Sequence, residues 1–404
     1  MIRRRRPRFY SGMWKDIAGC LFDDKCNEDL IGLFEDRFAA FIDSRNAISC
    51  CSGRNAMELI LSSIGLEQGD EVIIPAYTLK DLVPLIKKLG FKVVFCDVED
   101  DSFNIDPDAI SKKITPRTGA IMATHLFGVP CDMERILSIA REHGVKVIED
   151  CAHAAGAEYK GRKVGSLGDA SFFSFELTKP VNTFGGGMIT CNDDTLASGI
   201  REKISEYPLD HWGVVNKIVF LCFENLMVQG PLFPLLIRIY RKNEELIKRL
   251  YWKAHAGTRQ ERTRFTSLQA RLGMRQLERL KGRESLRREK GARITSALPD
   301  TVIPQSIPRD SQRVYYFLVV KIREQKPLDE VKLEMLSRGV DCGIAEEITD
   351  NCPVLFGSEG EDFPAATRLY SVNLQLPIYD EMTDREILKI TGSLREVLGA
   401  EEAR

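Results

Sequence analysis

Residues 45 to 195 alternate between two kinds of apolar pattern. Short runs at 72–75, 93–97, 120–124, 145–150 and 170–175 are close to continuously apolar and mostly rich in β-branched or aromatic residues, as strands buried on both faces are. Between them, at 80–89 and 132–143, the apolar positions recur at helical spacing, and a further helical stretch at 55–64 precedes the first run. Gly69-Asp70, Asp106-Pro107, Gly144, Gly165 and Gly168 punctuate the pattern as turns. Strand–helix alternation of this kind predicts an α/β fold on a mostly parallel sheet covered on both faces.

The pattern changes after residue 195. The stretch 214–240 is strongly apolar, but Lys217, Glu224, Asn225 and Gln229 interrupt it and Pro231 and Pro234 break it. It lacks the roughly 20 unbroken apolar residues that span a bilayer. It reads as helices packed on the body of the protein or on a second subunit. The alternative is a hairpin on a membrane surface, flanked by Arg238, Arg241 and Lys242. Residues 265–290 form an amphipathic helix through Leu268, Leu272, Met274, Leu277 and Leu280. A strand at 315–320 and helices at 328–337 and 384–398 suit a smaller α+β domain.

A chain of 404 residues with 44% hydrophobic and 29% charged residues has material for two domains with proper cores. The net charge of −2 gives no reason to expect nucleic acid. Arg3 to Arg6, with Arg8, make the one basic cluster, read as a solvated, frayed tail. The 11 cysteines are odd in number and contain no CxxC pair, which fits reduced, cytoplasmic usage. Residues 9–16 mix aromatic, small and charged types, so no cleavable leader is read there.

Three segments carry candidate chemistry. Ser52-Gly53-Arg54-Asn55-Ala56-Met57 stands at the mouth of a helix, where free N–H groups and a glycine make a phosphate seat; the plain alternative is an N-cap by Ser52 or Asn55. Asp150 ends a buried strand, at the edge where α/β sheets bind ligands, and a carboxylate there can pair with a protonated ring nitrogen. His153 follows three residues later and, taken alone, reads as a satisfied structural histidine. Lys179 follows the apolar run 170–175 and precedes Gly185-Gly186-Gly187, a place where a partly desolvated lysine becomes a nucleophile toward carbonyls. Phosphate seat, acidic group and lysine are the three anchors of pyridoxal phosphate.

With these residues in order, the chain resembles the DegT/DnrJ/StrS family of pyridoxal-phosphate sugar aminotransferases, over about 34–398. The resemblance is carried by Ser52-Gly53-Arg54-Asn55-Ala56, Gly69-Asp70-Glu71-Val72-Ile73-Ile74-Pro75, Asn104-Ile105-Asp106-Pro107 and His125-Leu126-Phe127-Gly128. It continues through Val147-Ile148-Glu149-Asp150, Gly165-Ser166-Leu167-Gly168-Asp169-Ala170, Phe173-Ser174-Phe175 with Thr178-Lys179, then Ser267-Leu268-Gln269-Ala270, Leu376-Pro377 and Thr383-Asp384. It implies a type I aminotransferase fold, with a large cofactor-binding domain at 25–284 bearing an apolar insertion at about 205–260. A small C-terminal domain at 285–404 is implied, with residues 1–24 packing on it. Lys179 falls at the Schiff-base lysine, Asp150 at the partner of the pyridine nitrogen, and His153 at a Gln/His position beside the ring. Gly53, Arg54 and Asn55 fall at the phosphate turn and Ser174 at a phosphate-binding serine. The implied reaction moves an amino group from glutamate to a keto sugar carried on a nucleotide. The implied assembly is a homodimer with shared sites, and no metal is implied. Leu79 stands where the family often stacks an aromatic ring, Pro180 where asparagine is common, and Arg54 where threonine is common. These departures bear on the substrate pocket more than on the cofactor. Some relatives carry histidine in place of the lysine and act as dehydratases, which Lys179 argues against. The rival expectations are a same-fold enzyme for a lipid-linked or non-sugar carbonyl at a membrane surface, and a non-catalytic regulatory relative.

Overall fold

The computed structural model describes residues 1–4, 6–7, 9–20, 27–229, 262–323, 326–343, 349–358 and 362–399. Its centre is a seven-stranded sheet of β1 (Asn46–Cys50), β2 (Glu71–Pro75), β3 (Lys92–Cys96), β4 (Thr118–Thr124), β5 (Lys146–Asp150), β6 (Ala170–Ser174) and β7 (Gly187–Cys191). The spatial order is β1-β7-β6-β5-β4-β2-β3. Strands β2, β3, β4, β5 and β6 pair in parallel. Strand β7 runs antiparallel to both β6 and β1, so β1 points the same way as the parallel set. The sequence pattern finds the five parallel strands to within a few residues at their ends and misses β1 and β7. Both carry a glycine, serine or threonine among their apolar residues, which blunts the signal.

The sheet is apolar on both faces because successive side chains alternate between two cores. Ile48, Val72, Ile148, Phe172 and Ile189 face one core with helices Gly53–Leu61, Leu82–Lys88 and Asp194–Ser205. Their neighbours Ala47, Ile73, Val147, Phe173 and Met188 face the other, beneath helices Glu28–Ile42, Met133–His143 and Ser267–Ser296. A second, antiparallel sheet of β8 (Val302–Pro304), β9 (Leu318–Ile322) and β10 (Asn373–Leu376) holds its own core with Ile294, Met335, Ile390 and Leu394. Strand β9 starts later than the expected 315–320. Tyr315, Tyr316 and Phe317 precede it and serve another purpose, described below.

Helix Ser267–Ser296 is 30 residues long, opens on a capping box of Thr266 and Gln269, and runs without a break through position 284, where the sequence places a domain boundary. It carries the chain from the large sheet to the small one. Arg4 and Arg6 do not belong to a frayed tail, and Arg5 and Arg8 lie outside the described residues. Arg4 is buried, donates to Gln375 Oε1 at 2.6 Å and lies 5.3 Å from the centroid of the Phe317 ring. Arg6 stands 4.0 Å from the centroid of the Tyr379 ring. Packing against aromatic faces repays the ordering of these side chains, which no local pattern reveals. Ile2 bonds Gly339 and Asp341 beside the small sheet, whereas Met13 and Ile17 pack with Phe184, Val214 and Leu268 of the large domain.

Helix His211–Gln229 exposes Trp212, Val219, Phe223 and Leu226. The rest of the apolar stretch, 230–240, lies outside the described residues. Among those described, no helix is long and apolar enough to cross a membrane.

Beneath the site lies a buried ionic knot. Glu149 Oε1 accepts from the N–H groups of Leu167 and Gly168, each at 2.8 Å. Its Oε2 accepts from Gly165 N–H at 2.8 Å and His125 Nε2 at 3.0 Å. His125 Nδ1 accepts the Cys131 N–H, which leaves the imidazole proton on Nε2. Burial works against the Glu149 charge, but the bonds from His125 and the turn amides outweigh it and hold the carboxyl below its ordinary range. Stability from this group is therefore present above the unfolded-state value and lost as pH falls through the lower folded value. Glu149→Gln should remove about 1–3 kcal/mol, the usual cost of leaving a buried donor unsatisfied, and flatten the acid limb of stability. Urea titrations at neutral and mildly acidic pH would show it; an unchanged acid limb would refute the assignment.

Candidate active site

Because β1, β5 and β6 point the same way, their C-terminal ends share one edge of the sheet, and the chain leaves each end with one of the candidate groups. After β1 come Cys51, Ser52 and the helix Gly53–Leu61. Ser52 is extended and accepts from Asn55 N–H at 3.1 Å, so it is the N-cap. The cap leaves amide donors of the first turn pointing out of the helix. The Asn55 side chain is buried, and neither its oxygen nor its nitrogen has a hydrogen-bond partner among the described residues. Buried amides are rarely left so, and an anion at the helix mouth would accept from the Asn55 Nδ2 group. A Cβ at Gly53 would stand 3.0 Å from Ser174 Cβ, so glycine keeps helix and β6 close enough for both to reach one phosphate. Arg54 behaves differently. It is half-exposed and paired with Asp81 at 2.9 Å, near enough to Glu176 for its charge to act on that carboxylate.

Strand β5 ends at Asp150, which is buried and accepts the Ala152 N–H at 3.0 Å. Burial pushes its carboxyl above the ordinary range, against the smaller opposing pull of that N–H and of Lys179 and His125. A carboxylate so placed would gain from a cationic partner. His153 is buried too, with its ring stacked 4.2 Å from that of Tyr316, planes 10° apart, and parallel to Phe127 at 6.1 Å.

Strand β6 ends at Ser174, half-buried and opposite Gly187 of β7. The chain then turns at Glu176, whose carbonyl accepts Lys179 N–H at 2.9 Å. Lys217 of helix His211–Gln229 holds the Glu176 carboxylate at 2.8 Å, so the apolar helix steadies the lysine turn. Lys179 is buried, with Nζ 4.5 Å from the centroid of the Tyr316 ring. Gly185 and Gly186 return the chain to β7 with φ of 127° and 98°, values side chains rarely adopt. Leu79 lies on the loop after β2, where Tyr77 and Thr78 pair with Asn351 and Asp350 of the C-terminal part, and packs against the core.

Every sequence-derived candidate thus lies at the sheet edge or in the loops beside it, with the Arg54 side chain paired to Asp81. Tyr316 was missed. Its only sequence signal is the run Tyr315-Tyr316-Phe317, which reads as the start of a strand. His125, Glu149 and Cys151 also offer ligand atoms within 4.8 Å of one another, but the imidazole and carboxylate are already engaged in the knot described above.

The model of the DegT/DnrJ/EryC1/StrS aminotransferase family matches residues 27–395. The chain belongs to this family. Like its other members, this aminotransferase uses pyridoxal phosphate, and its fold is type I. It is 31% identical over 378 residues to the spore coat polysaccharide biosynthesis protein SpsC of Bacillus subtilis, covering 90% of this chain and 88% of that one. It is 27% identical over 363 residues to GDP-perosamine synthase of Escherichia coli O157:H7, covering 90% and 88%. Among solved structures it resembles DesI in the presence of its TDP-sugar product, at 25% identity and a TM-score of 0.76, covering 98% of this chain and 93% of that one. The orphaned Asn55 amide, the Gly53–Ser174 approach and the undercompensated Asp150 are what this cofactor's phosphate and ring nitrogen require, so the residues present fit the group.

Proposed function

We propose that this aminotransferase transfers the amino group of glutamate to the keto carbon of a sugar linked to a nucleotide, with Lys179 as the lysine that carries the cofactor. The observation behind the roles is the shared sheet edge, which brings the amine of Lys179, the carboxylate of Asp150 and the Gly53–Asn55 turn to one crevice. Pyridoxal phosphate, when bound, supplies an electron sink for the carbon that gains or loses the amine. The chain's own residues do the rest. Asn55, Ser174 and the first-turn amides hold the phosphate. Asp150 keeps a proton on the ring nitrogen. His153 would line the site of the ring, and Lys179 would move the proton at the reacting carbon. Support for the substrate class comes from relatives whose names carry GDP-perosamine and a TDP-sugar. In purified protein supplied with the cofactor, glutamate and keto forms of GDP-, UDP- and TDP-sugars, 2-oxoglutarate should form in step with an aminated sugar. Oxoglutarate formation with no nucleotide-linked keto sugar, but with a lipid-linked carbonyl, would favour the membrane-surface reading instead.

The assembly we propose is a homodimer in the cytoplasm, with the partner's 180–260 segment completing each pocket. The exposed row on helix His211–Gln229 is available for such contact, and the buried free thiols suit a reducing compartment. Light scattering with and without lipid vesicles separates a dimer contact from a membrane one.

A further inference from the structure

Lys179 is held by a residue from the other end of the chain. Its Nζ lies 4.5 Å from the centroid of the Tyr316 ring. The same ring stacks on His153 at 4.2 Å. The Tyr316 hydroxyl is 3.0 Å from Thr178 Oγ1, on the residue just before the lysine. Tyr316 therefore touches the loops that follow β5 and β6, while its own backbone leads into the small sheet.

That backbone is clamped. Arg287 Nη1 donates to the Tyr315 carbonyl at 2.8 Å. Arg313 Nη2 donates to the Phe317 carbonyl at 3.4 Å and to Gln305 Oε1 at 3.2 Å. Arg287 and Arg283 both engage Asp380, at 3.5 Å and 2.8 Å. Gly291 of the long helix lets the Tyr315 ring press close, since a Cβ there would stand 2.4 Å from it. Buried guanidinium donors on both flanking carbonyls give Tyr316 a fixed platform. A lysine side chain otherwise samples many rotamers, and an aromatic face attracts its N–H groups and narrows that set.

We propose that Tyr316 is a positioning residue for Lys179: its ring steadies the amine, and its hydroxyl steadies the turn before it, so that the amine is held ready for the cofactor's carbonyl carbon. This rests on the reading of Lys179 as the cofactor lysine. It concerns orientation, and a loose amine loses rate rather than all reactivity.

The test follows covalent capture of pyridoxal phosphate by cofactor-free protein, by stopped-flow absorbance. In that step the amine adds to the aldehyde carbon, a C=N bond forms and one water leaves. Wild type is compared with Tyr316→Leu, Tyr316→Phe and Thr178→Val, with Lys179→Ala as the blank. Tyr316→Leu should slow capture about tenfold and lower kcat with little change in KM. Tyr316→Phe keeps the ring and should recover most of the rate. Tyr316→Phe and Thr178→Val should each cost about two- to threefold, with the double variant no slower than either, because both break one hydrogen bond. Capture by Tyr316→Leu at the wild-type rate or faster would overturn the proposal. So would Tyr316→Phe as slow as Tyr316→Leu with a matching fall in Tm, which marks a packing role only. Should Tyr316→Leu fail to fold, additive losses from Tyr316→Phe and Thr178→Val would overturn the hydroxyl contact, and capture by Tyr316→Phe as slow as that of a lysine with no ring beside it, about tenfold below wild type, would overturn the ring contact. If the blank captures cofactor as wild type does, the Lys179 reading itself falls, an outcome distinct from any Tyr316 result.

Discussion

Lys179→Ala is expected to keep its fold, to bind pyridoxal phosphate without the long-wavelength absorbance of lysine-bound cofactor, and to lose kcat by about 10⁴-fold or more, the upper range for loss of an acid–base group. The lysine makes few contacts that a folded chain needs. Its Nζ rests on the Tyr316 ring, and the hydrogen bond that fixes its turn, from Lys179 N–H to the Glu176 carbonyl, belongs to the backbone. Alanine preserves that bond. The neighbouring Lys217, the one other ammonium held at this turn by a contact described above, is bound to Glu176 and cannot take over. Phosphate binding through Asn55, Gly53 and Ser174 should survive, so the variant still retains cofactor under dialysis, though without the covalent link. Adding glutamate to wild type should shift the absorbance to shorter wavelength and leave the variant's spectrum unchanged. A variant that keeps the long-wavelength band, or retains more than about one per cent of activity against the range expected for such a loss, would move the covalent role to another amine.

Asp150→Asn is expected to lower kcat by about 10³-fold while leaving the cofactor-free protein as stable as wild type or more so. The two halves have one cause. Burial raises the Asp150 carboxyl above its ordinary range, and a raised carboxyl contributes stability that is fully present below the unfolded-state value and lost as pH rises through the folded value. At neutral pH the empty site therefore carries a cost, which asparagine removes. Binding a cofactor whose ring nitrogen holds a proton turns that cost into a buried pair, and breaking such a pair costs about 3–5 kcal/mol, or two to four powers of ten in rate. Thermal unfolding with and without pyridoxal phosphate reads both halves. The cofactor-induced rise in Tm should shrink in the variant, and the cofactor-free Tm should hold or climb. A large fall in the cofactor-free Tm would show that Asp150 serves the fold and not the ring. Site residues that cost stability are common where function needs an uncompensated charge.

Much of the site was legible as chain pattern, because its groups follow directly from strand ends. Asp150 terminates a run of Val147 and Ile148, and Lys179 follows Ser171 to Phe175, so a reader who finds the strands finds the residues. Ser52 and Gly53 were legible as a helix mouth, and the structure shows that Ser52 caps the helix while Asn55 turns its amide inward. The cap reading holds, and because it uses Ser52 it leaves other donors of the turn free for the phosphate proposed there. The resemblance places Arg54 at the phosphate turn; in the structure its guanidinium pairs with Asp81, and its charge also acts on the Glu176 carboxylate beside the Lys179 turn.

The sequence by itself determined the local elements and the groups that end them: the parallel strands, the long capped helix from Ser267, and an aspartate and a lysine poised at strand ends. These depend on neighbours within a turn or two, and periodicity records them. The tertiary structure alone decided which groups meet. Strand β7 reverses between β6 and β1, which turns the end of β1 toward the same edge as the ends of β5 and β6 and so brings the Ser52–Asn55 turn to the side of the sheet where Asp150 lies. Arg4 reaches Gln375 across 371 positions, and Tyr316 reaches Thr178 across 138. No local pattern encodes such contacts, because their free energy comes from burying surfaces that adjoin only after the chain has folded.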